Sequence, residues 1–263
     1  MKKPKVLVLT GYGINCDYET QTAFAQAGAD AKRVHINDII DGKVSLDDYQ
    51  IIAFPGGFSF GDDIGAGKVL AVKFGFSLGE ALRKFVSGGN LVIGICNGFQ
   101  SLTKLGVLPS TGKTDSQEAT LTFNDSGRFE DRWVYLKVNE KSPSIFTKNL
   151  DRMYLPVRHG EGKFVAANEK IQSSIIRNQQ VPLQYCDEQG NPTQEYPLNP
   201  NGSPMAIAGV CDPTGRIFGM MPHPEAYLFR TNHPRWTREN LPEEGIGQKI
   251  FHNAVEFARR NLM

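Results

Sequence analysis

The stretch "NLVIGICNGFQ", residues 90–100, runs from a short apolar segment into the start of a helical pattern, with a cysteine at the junction. Residues 90–95 read as a strand buried on both faces, because the run is continuous rather than alternating. The cysteine lies between two glycines, in the order Gly94-Ile95-Cys96-Asn97-Gly98. That is the G-x-nucleophile-x-G form of a nucleophile elbow, in which a strained strand-to-helix turn lifts the middle residue out of the sheet. Such a turn crowds its neighbours, and glycine on either side supplies the room. The bare pattern also fits an inert buried cysteine in a tight turn. Its position between a strand and a helix favours the nucleophile, since the unpaired amides and positive pole of the helix start favour a thiolate.

On the N-terminal side of this elbow the same alternation repeats. "KVLVLT" (5–10), "AKRVHI" (31–36) and "QIIAFP" (50–55) are short strand-like runs. Helical patterns lie around residues 20–27 and over 69–89, the second stopping at a glycine pair. Strand–helix alternation predicts a parallel sheet with helices on both faces. The second half adds strands with few helices between them: 132–138, 152–158, 181–186, 205–211 and 216–221. "CDPTGR" (211–216) reads as a hairpin turn, 191–204 as an ordered Pro/Asn/Gly loop, and 247–262 as a closing helix. The predicted fold class is α/β. A central, largely parallel sheet is flanked by helices, and antiparallel strands are added in the second half. Residues 1–263 read as one domain.

Composition removes several classes of function. A formal net charge of +1 and no basic stripe interleaved with aromatics argue against a nucleic-acid partner. No apolar run is long enough for a membrane helix, and the first run is too short for a signal peptide. The four cysteines, Cys16, Cys96, Cys186 and Cys211, are far apart and form no C-x-x-C pair, which argues against a zinc site or a disulfide framework. A cytoplasmic location is expected.

A cysteine nucleophile needs a base. "MPHPE" (221–225) follows a strand-like run, and Pro224 biases His223 towards extended backbone. Residues two apart in an extended chain face the same way, so Glu225 is expected to orient His223. An isolated H-P-E is also compatible with a surface turn. The remaining histidines, His35, His159, His233 and His252, show no such partner in the sequence. A metal set of His223, Glu225 and His233 has no standard ligand spacing behind it. "FPGGFSFGDD" (54–63) follows another strand, and Gly56-Gly57 is suited to turn backbone amides towards a ligand. It is no phosphate-binding loop, because Gly67-Lys68-Val69 lacks the magnesium-binding hydroxyl.

"GICNGFQ", "PGGFSFGD" and "PHPE" together resemble class I, triad-type glutamine amidotransferases. "GINCDYET" (13–20), "RHGEGKF" (158–164) and "YPLNPNGSP" (196–204) narrow the resemblance to the glutaminase components of phosphoribosylformylglycinamidine synthases, enzymes of purine biosynthesis. The motifs run along essentially the whole chain. The resemblance implies Cys96 as nucleophile, His223 as base and acid, and Glu225 as its orienter. It implies an oxyanion hole from the backbone amides of Gly57 and Asn97, and substrate contacts from Gln100, His159 and Gly160. His159 fits a structural role equally well. The implied substrate is L-glutamine, with no metal or cofactor in this chain. ATP and magnesium are expected on a separate synthetase partner, with room for a small accessory subunit. The sequence departs from the pattern at Ala226 and at Ile64-Gly65, where many relatives carry arginine nearby. Three other readings remain open: a subunit for another synthetase, a cysteine peptidase of the same fold, and a non-catalytic paralogue.

Overall fold

The computed structural model describes residues 2–111 and 116–263. The first half folds in strict alternation: β1 (Lys5–Thr10), α1 (Asp17–Gln26), β2 (Asp30–His35), α2 (Ile36–Ile40), β3 (Ile51–Phe54), α3 (Lys68–Ser87), β4 (Leu91–Ile95) and α4 (Asn97–Lys104). The second half contributes β5 (Ala119–Thr122), β6 (Glu130–Val138), β7 (Arg152–His159), β8 (Lys163–Ala166), α5 (Glu169–Arg177), β9 (Leu183–Cys186), β10 (Ile207–Cys211), β11 (Ile217–Met220) and α6 (Gln248–Asn261). The short α2, β5 and β8 and the helix α5 were not anticipated. The two strands pair with each other in a small separate sheet, β5–β8.

The main sheet has nine strands in the order β2-β1-β3-β4-β11-β10-β9-β6-β7. From β2 to β11 all neighbours are parallel, and from β11 to β7 all are antiparallel. The sheet is therefore mixed, and its parallel half coincides with the part of the chain that alternates strand and helix. Strands β3 and β4 are buried at every position, which explains their unbroken apolar runs. The closing strand β11 is equally buried but comes from near the other end of the chain.

Helices cover the sheet with the faces their apolar spacing predicts. α3 buries Leu70, Phe74, Leu78, Leu82 and Phe85, and α6 buries Ile250, Phe251, Ala254, Val255 and Ala258. Phe251 meets Phe24 of α1 edge-on at 4.9 Å, tying the two ends of the chain together. Burial of each such leucine, isoleucine, valine or phenylalanine contributes roughly 1.5–3 kcal/mol. No helix among the described residues is long and apolar enough to cross a membrane.

The seating of α4 on the sheet depends on two glycines. A Cβ on Gly98 would lie 1.8 Å from the carbonyl oxygen of Phe54, so α4 touches the end of β3 backbone to backbone. A Cβ on Gly219 would lie 2.0 Å from the ring of Phe99, whose side chain is fully buried there. Gly98→Ala is therefore expected to destabilise the fold by at least about 3 kcal/mol, because backbone cannot step aside as a flexible side chain can. Gly79→Ala on α3, whose added methyl meets only Arg83 at 3.6 Å, should be neutral or stabilise by up to ~1 kcal/mol. Urea unfolding of the two variants measures the contrast.

Candidate active site

The parallel register of β4 and β11 brings the two chemistry-bearing turns together. Ile95 pairs with Met220, and the Cys96 amide donates to the Met220 carbonyl at 2.8 Å. Both strands end there, so Cys96 and the segment 221–225 emerge side by side at the carboxyl edge of the sheet, where open α/β sheets place their ligands. Cys96 is the residue before α4 and has φ 51°, ψ −107°. A non-glycine residue in that region carries roughly 1–3 kcal/mol of strain. Asn97 is the first residue of α4, so its amide has no acceptor within the helix.

His223 has φ −103° and ψ 92°, extended as Pro224 requires. Its Nδ1 lies 2.5 Å from Glu225 Oε1. The pairing arises differently from the expected strand-like alternation: Pro224–Ala226 is a turn of 3-10 helix that folds the carboxylate back onto the imidazole. Both side chains are at most 3% exposed. Burial opposes charge on His223, but the Glu225 carboxylate and the adjacent Cys96 and Cys16 sulfurs outweigh it and hold the imidazole well above its ordinary value. The His223 Nε2 atom has no protein partner, and neither does Glu225 Oε2.

Cys96 lines a cavity of about 150 Å³ together with Gly57, Phe58, Asp62, Ala66 and Gln100. Phe123, Phe129, Arg158, His159, Gly160 and Glu161 complete the wall. The second group comes from the antiparallel half of the molecule. β7 stands five places from β4 in the sheet, yet the Arg158 carbonyl lies 3.5 Å from Cys96 Sγ and the Pro156 carbonyl accepts from the His223 amide at 2.8 Å. The predicted residues Gly57, Asn97, Gln100, His159 and Gly160 are thus all at or beside the cavity.

Their side chains are not all free for a ligand. Asn97 Oδ1 accepts from the Ser59 amide at 3.1 Å, and its Nδ2 donates to Asp62 at 2.8 Å and to Gln100 Oε1 at 3.0 Å. Gln100 Nε2 donates to the Glu161 carbonyl at 2.6 Å. The Glu161 carboxylate accepts from the Ala66 amide at 3.2 Å. Asn97 and Gln100 therefore clamp the glycine-rich loop and the 159–161 turn onto α4. Burial raises the Asp62 carboxyl above its ordinary value. His159 is buried against Asn124, with Nδ1 3.1 Å from Asn124 Oδ1, and burial pushes its pKa down to about 3, so the ring is neutral at physiological pH. A Cβ on Gly162 would fall 2.2 Å from that ring. These contacts explain the "RHGEG" spacing by packing.

Several residues were missed or differently placed. Asp62, Arg158 and Glu161 line the cavity although no motif singled them out by role. His233 packs instead against Trp133, Tyr154 and Tyr227, and Cys16 takes its place beside His223 and Glu225. His252 does have a carboxylate partner, Glu244 at 3.0 Å, on the protein surface. Proximity of Cys16 could not be seen in the sequence, because it lies 207 positions from His223.

Residues 3–258 match the family described as CobB/CobQ-like glutamine amidotransferase domain. The chain is 50% identical over 260 residues to phosphoribosylformylglycinamidine synthase subunit PurQ of Dehalococcoides mccartyi, covering 99% of this chain and 100% of that protein. It is 47% identical over 267 residues to the subunit of the same name from Methanococcus maripaludis, covering 97% of both. Among solved structures, a chain of PurLQS from Thermotoga maritima superposes with a TM-score of 0.72 at 30% identity, over 97% of this chain and 99% of that one. With the match running from the first strand to the last helix, the chain belongs to the CobB/CobQ-like glutamine amidotransferase family, in its branch of phosphoribosylformylglycinamidine synthase PurQ subunits.

Proposed function

We propose that this chain, as one glutaminase domain over residues 1–263, hydrolyses the side-chain amide of L-glutamine and passes the ammonia to an ATP-dependent synthetase subunit of phosphoribosylformylglycinamidine synthase. The observation that carries the chemistry is that Cys96, at a strained helix start, adjoins a buried imidazole whose Nδ1 is tied to a carboxylate. The cavity beside Cys96 suits a zwitterionic amino acid. Asp62 and Glu161 present carboxylates suited to an α-ammonium group, and the guanidinium of Arg158, whose Nε is unpaired, suits an α-carboxylate.

In the proposed mechanism the Cys96 thiolate, its proton carried by His223, attacks the amide carbon, and the amides of Gly57 and Asn97 donate to the oxyanion that forms. His223 gives a proton to the departing nitrogen, which leaves as ammonia, and Cys96 is left as a thioester. His223 then takes a proton from water, whose oxygen displaces the thiolate and releases glutamate. Glu225 orients the imidazole and stabilises its charged form. Gln100, His159 and Gly160 hold the loops around the substrate, Gln100 through the clamp described above. The chain itself needs no metal or cofactor for this chemistry. ATP and magnesium act on the synthetase, which works with this subunit in the cytoplasm, together with a small accessory subunit.

Cys96→Ser should abolish glutamine-dependent amidation by the complex with its synthetase while leaving ammonia-dependent amidation intact. Retention of glutamine-dependent turnover would sink the thioester mechanism. Glu225→Gln should lower glutamine-dependent kcat by about 10²–10⁴-fold. It should also move the limb of the pH–rate profile that reports His223 to lower pH, since removing the adjacent negative charge removes what holds the imidazole proton. An unmoved limb in that variant would show that Glu225 does not act on the imidazole electrostatically.

A further inference from the structure

Beside the His223–Glu225 pair stands a second sulfur. Cys16 is the residue preceding α1, and one donor atom each from Cys16, His223 and Glu225 lies within 4.8 Å of the other two. The backbone fixes this sulfur in place. The Cys16 amide donates to the Gly56 carbonyl at 3.2 Å, and its own carbonyl accepts from the Thr20 amide at 3.1 Å and hydroxyl at 2.7 Å. Gly56 leaves the space that the three side chains share: a Cβ there would lie 2.8 Å from the His223 ring and 3.3 Å from Cys16 Sγ. Two atoms of the cluster, His223 Nε2 and Glu225 Oε2, are buried without a protein partner. Cys16 is only part-buried, so the cluster has an edge towards solvent.

We propose that Cys16, His223 and Glu225 form a binding site for a zinc-like divalent cation, which switches the glutaminase off when occupied. A thiolate, an imidazole and a carboxylate are the donor set of zinc and of its substitute cobalt(II), and a poor one for magnesium or calcium. Three protein ligands leave a fourth position for water, which the part-exposed edge can supply. Binding is a ligand exchange with no redox change. Cys16 releases its thiol proton and the imidazolium of His223 releases one ring proton to solvent, the sulfur, the ring nitrogen and the Glu225 carboxylate each donate an electron pair to the metal, and metal-bound water is displaced.

Inhibition follows from the count of lone pairs on the imidazole. A neutral imidazole has one. Nδ1, which faces the Glu225 carboxylate at 2.5 Å, is the nitrogen that a cation bound to that carboxylate takes. The metal stands in for the proton of this hydrogen bond, the remaining ring proton sits on Nε2, and His223 no longer accepts a proton near Cys96. The nucleophile itself is not a ligand in this site, which separates it from non-specific capture of zinc by a reactive cysteine. The metal site stands on geometry alone, whereas its inhibitory effect rests on His223 acting as the base.

The test uses the full chain with cobalt(II) chloride as the probe. Cys96→Ser protein should bind one cobalt ion and show a thiolate-to-cobalt charge-transfer band with visible bands of tetrahedral cobalt. Cys186 and Cys211, both fully buried, should not contribute. Cys16→Ser protein should lose the charge-transfer band. In the glutaminase assay with the synthetase present, and with each protein's rate taken relative to its own zinc-free rate, Cys16→Ser should require at least about tenfold more zinc chloride for half-inhibition. Absence of the band in Cys96→Ser, or its persistence in Cys16→Ser, would overturn the site. A band behaving as expected with unchanged zinc sensitivity would overturn the switch, and since cobalt binding is read without turnover, failure of the metal site is distinguishable from failure of the proposed reaction.

Discussion

The parallel pairing of β4 with β11 is the constraint on which the rest of the site depends. Its register sets Ile95 against Met220, so the next residue on one strand is Cys96 and the third on the other is His223. One hydrogen bond, from the Cys96 amide to the Met220 carbonyl, closes the ladder at the point where the two chains diverge. Side chains in a strand point to alternate faces, so a slip of one residue would turn both turns away from each other. The full burial of both strands makes such a slip costly, since every one of their residues is packed on both sides. Core packing and catalytic geometry are thus the same requirement at this place.

Burial of the His223–Glu225 pair carries a cost that its geometry offsets. Removing a carboxylate and an imidazolium from water is unfavourable by several kcal/mol per ion, and a short hydrogen bond returns only part of it. The cluster is further loaded with the strained backbone of Cys96 and with two unpaired buried polar atoms. Strained backbone and unpaired buried groups persist only where surrounding structure over-determines them. Here that support comes from the glycine contacts beneath α4 and from the antiparallel half, whose β7 backbone holds both His223 and the rim of the cavity. The added strands therefore do more than widen the sheet. They supply the wall opposite the elbow, which the parallel half alone does not contain.

Legibility in the sequence followed the range of each interaction. Local signals carried far: the continuous apolar run of β4, the glycines around Cys96, and the proline that extends His223 all describe the structure well. So did the alternation that separates the parallel half from the antiparallel half. Interactions between distant segments left no pattern to read. The clamp of Asn97 and Gln100 on the glycine-rich loop and the 159–161 turn needs residues up to 61 positions apart. The placing of Cys16, and not His233, beside His223 and Glu225 depends on a loop crossing that no spacing rule encodes. Even where the expected pair formed, the cause differed, because Glu225 reaches His223 through a helical turn and not through strand alternation.

Glycine shows the same division between local and tertiary causes. Gly94 and Gly98 were legible as elbow residues, but the reason for Gly98 is its approach to the Phe54 carbonyl on another strand. Gly56 looked suited to turning amides towards a ligand, and its lack of a side chain also leaves the space in which His223 and Cys16 meet. Gly162 closes the "RHGEG" motif and Gly219 sat in none, yet each provides the surface on which an aromatic or imidazole ring lies. A side chain at any of these positions would displace a ring or a backbone group packed against it, so these glycines reflect how closely the segments around the cavity approach one another. Crowding of that kind is what makes the cavity small, and a small cavity with fixed walls suits the proposed transfer of one imidazole proton to one atom of the substrate.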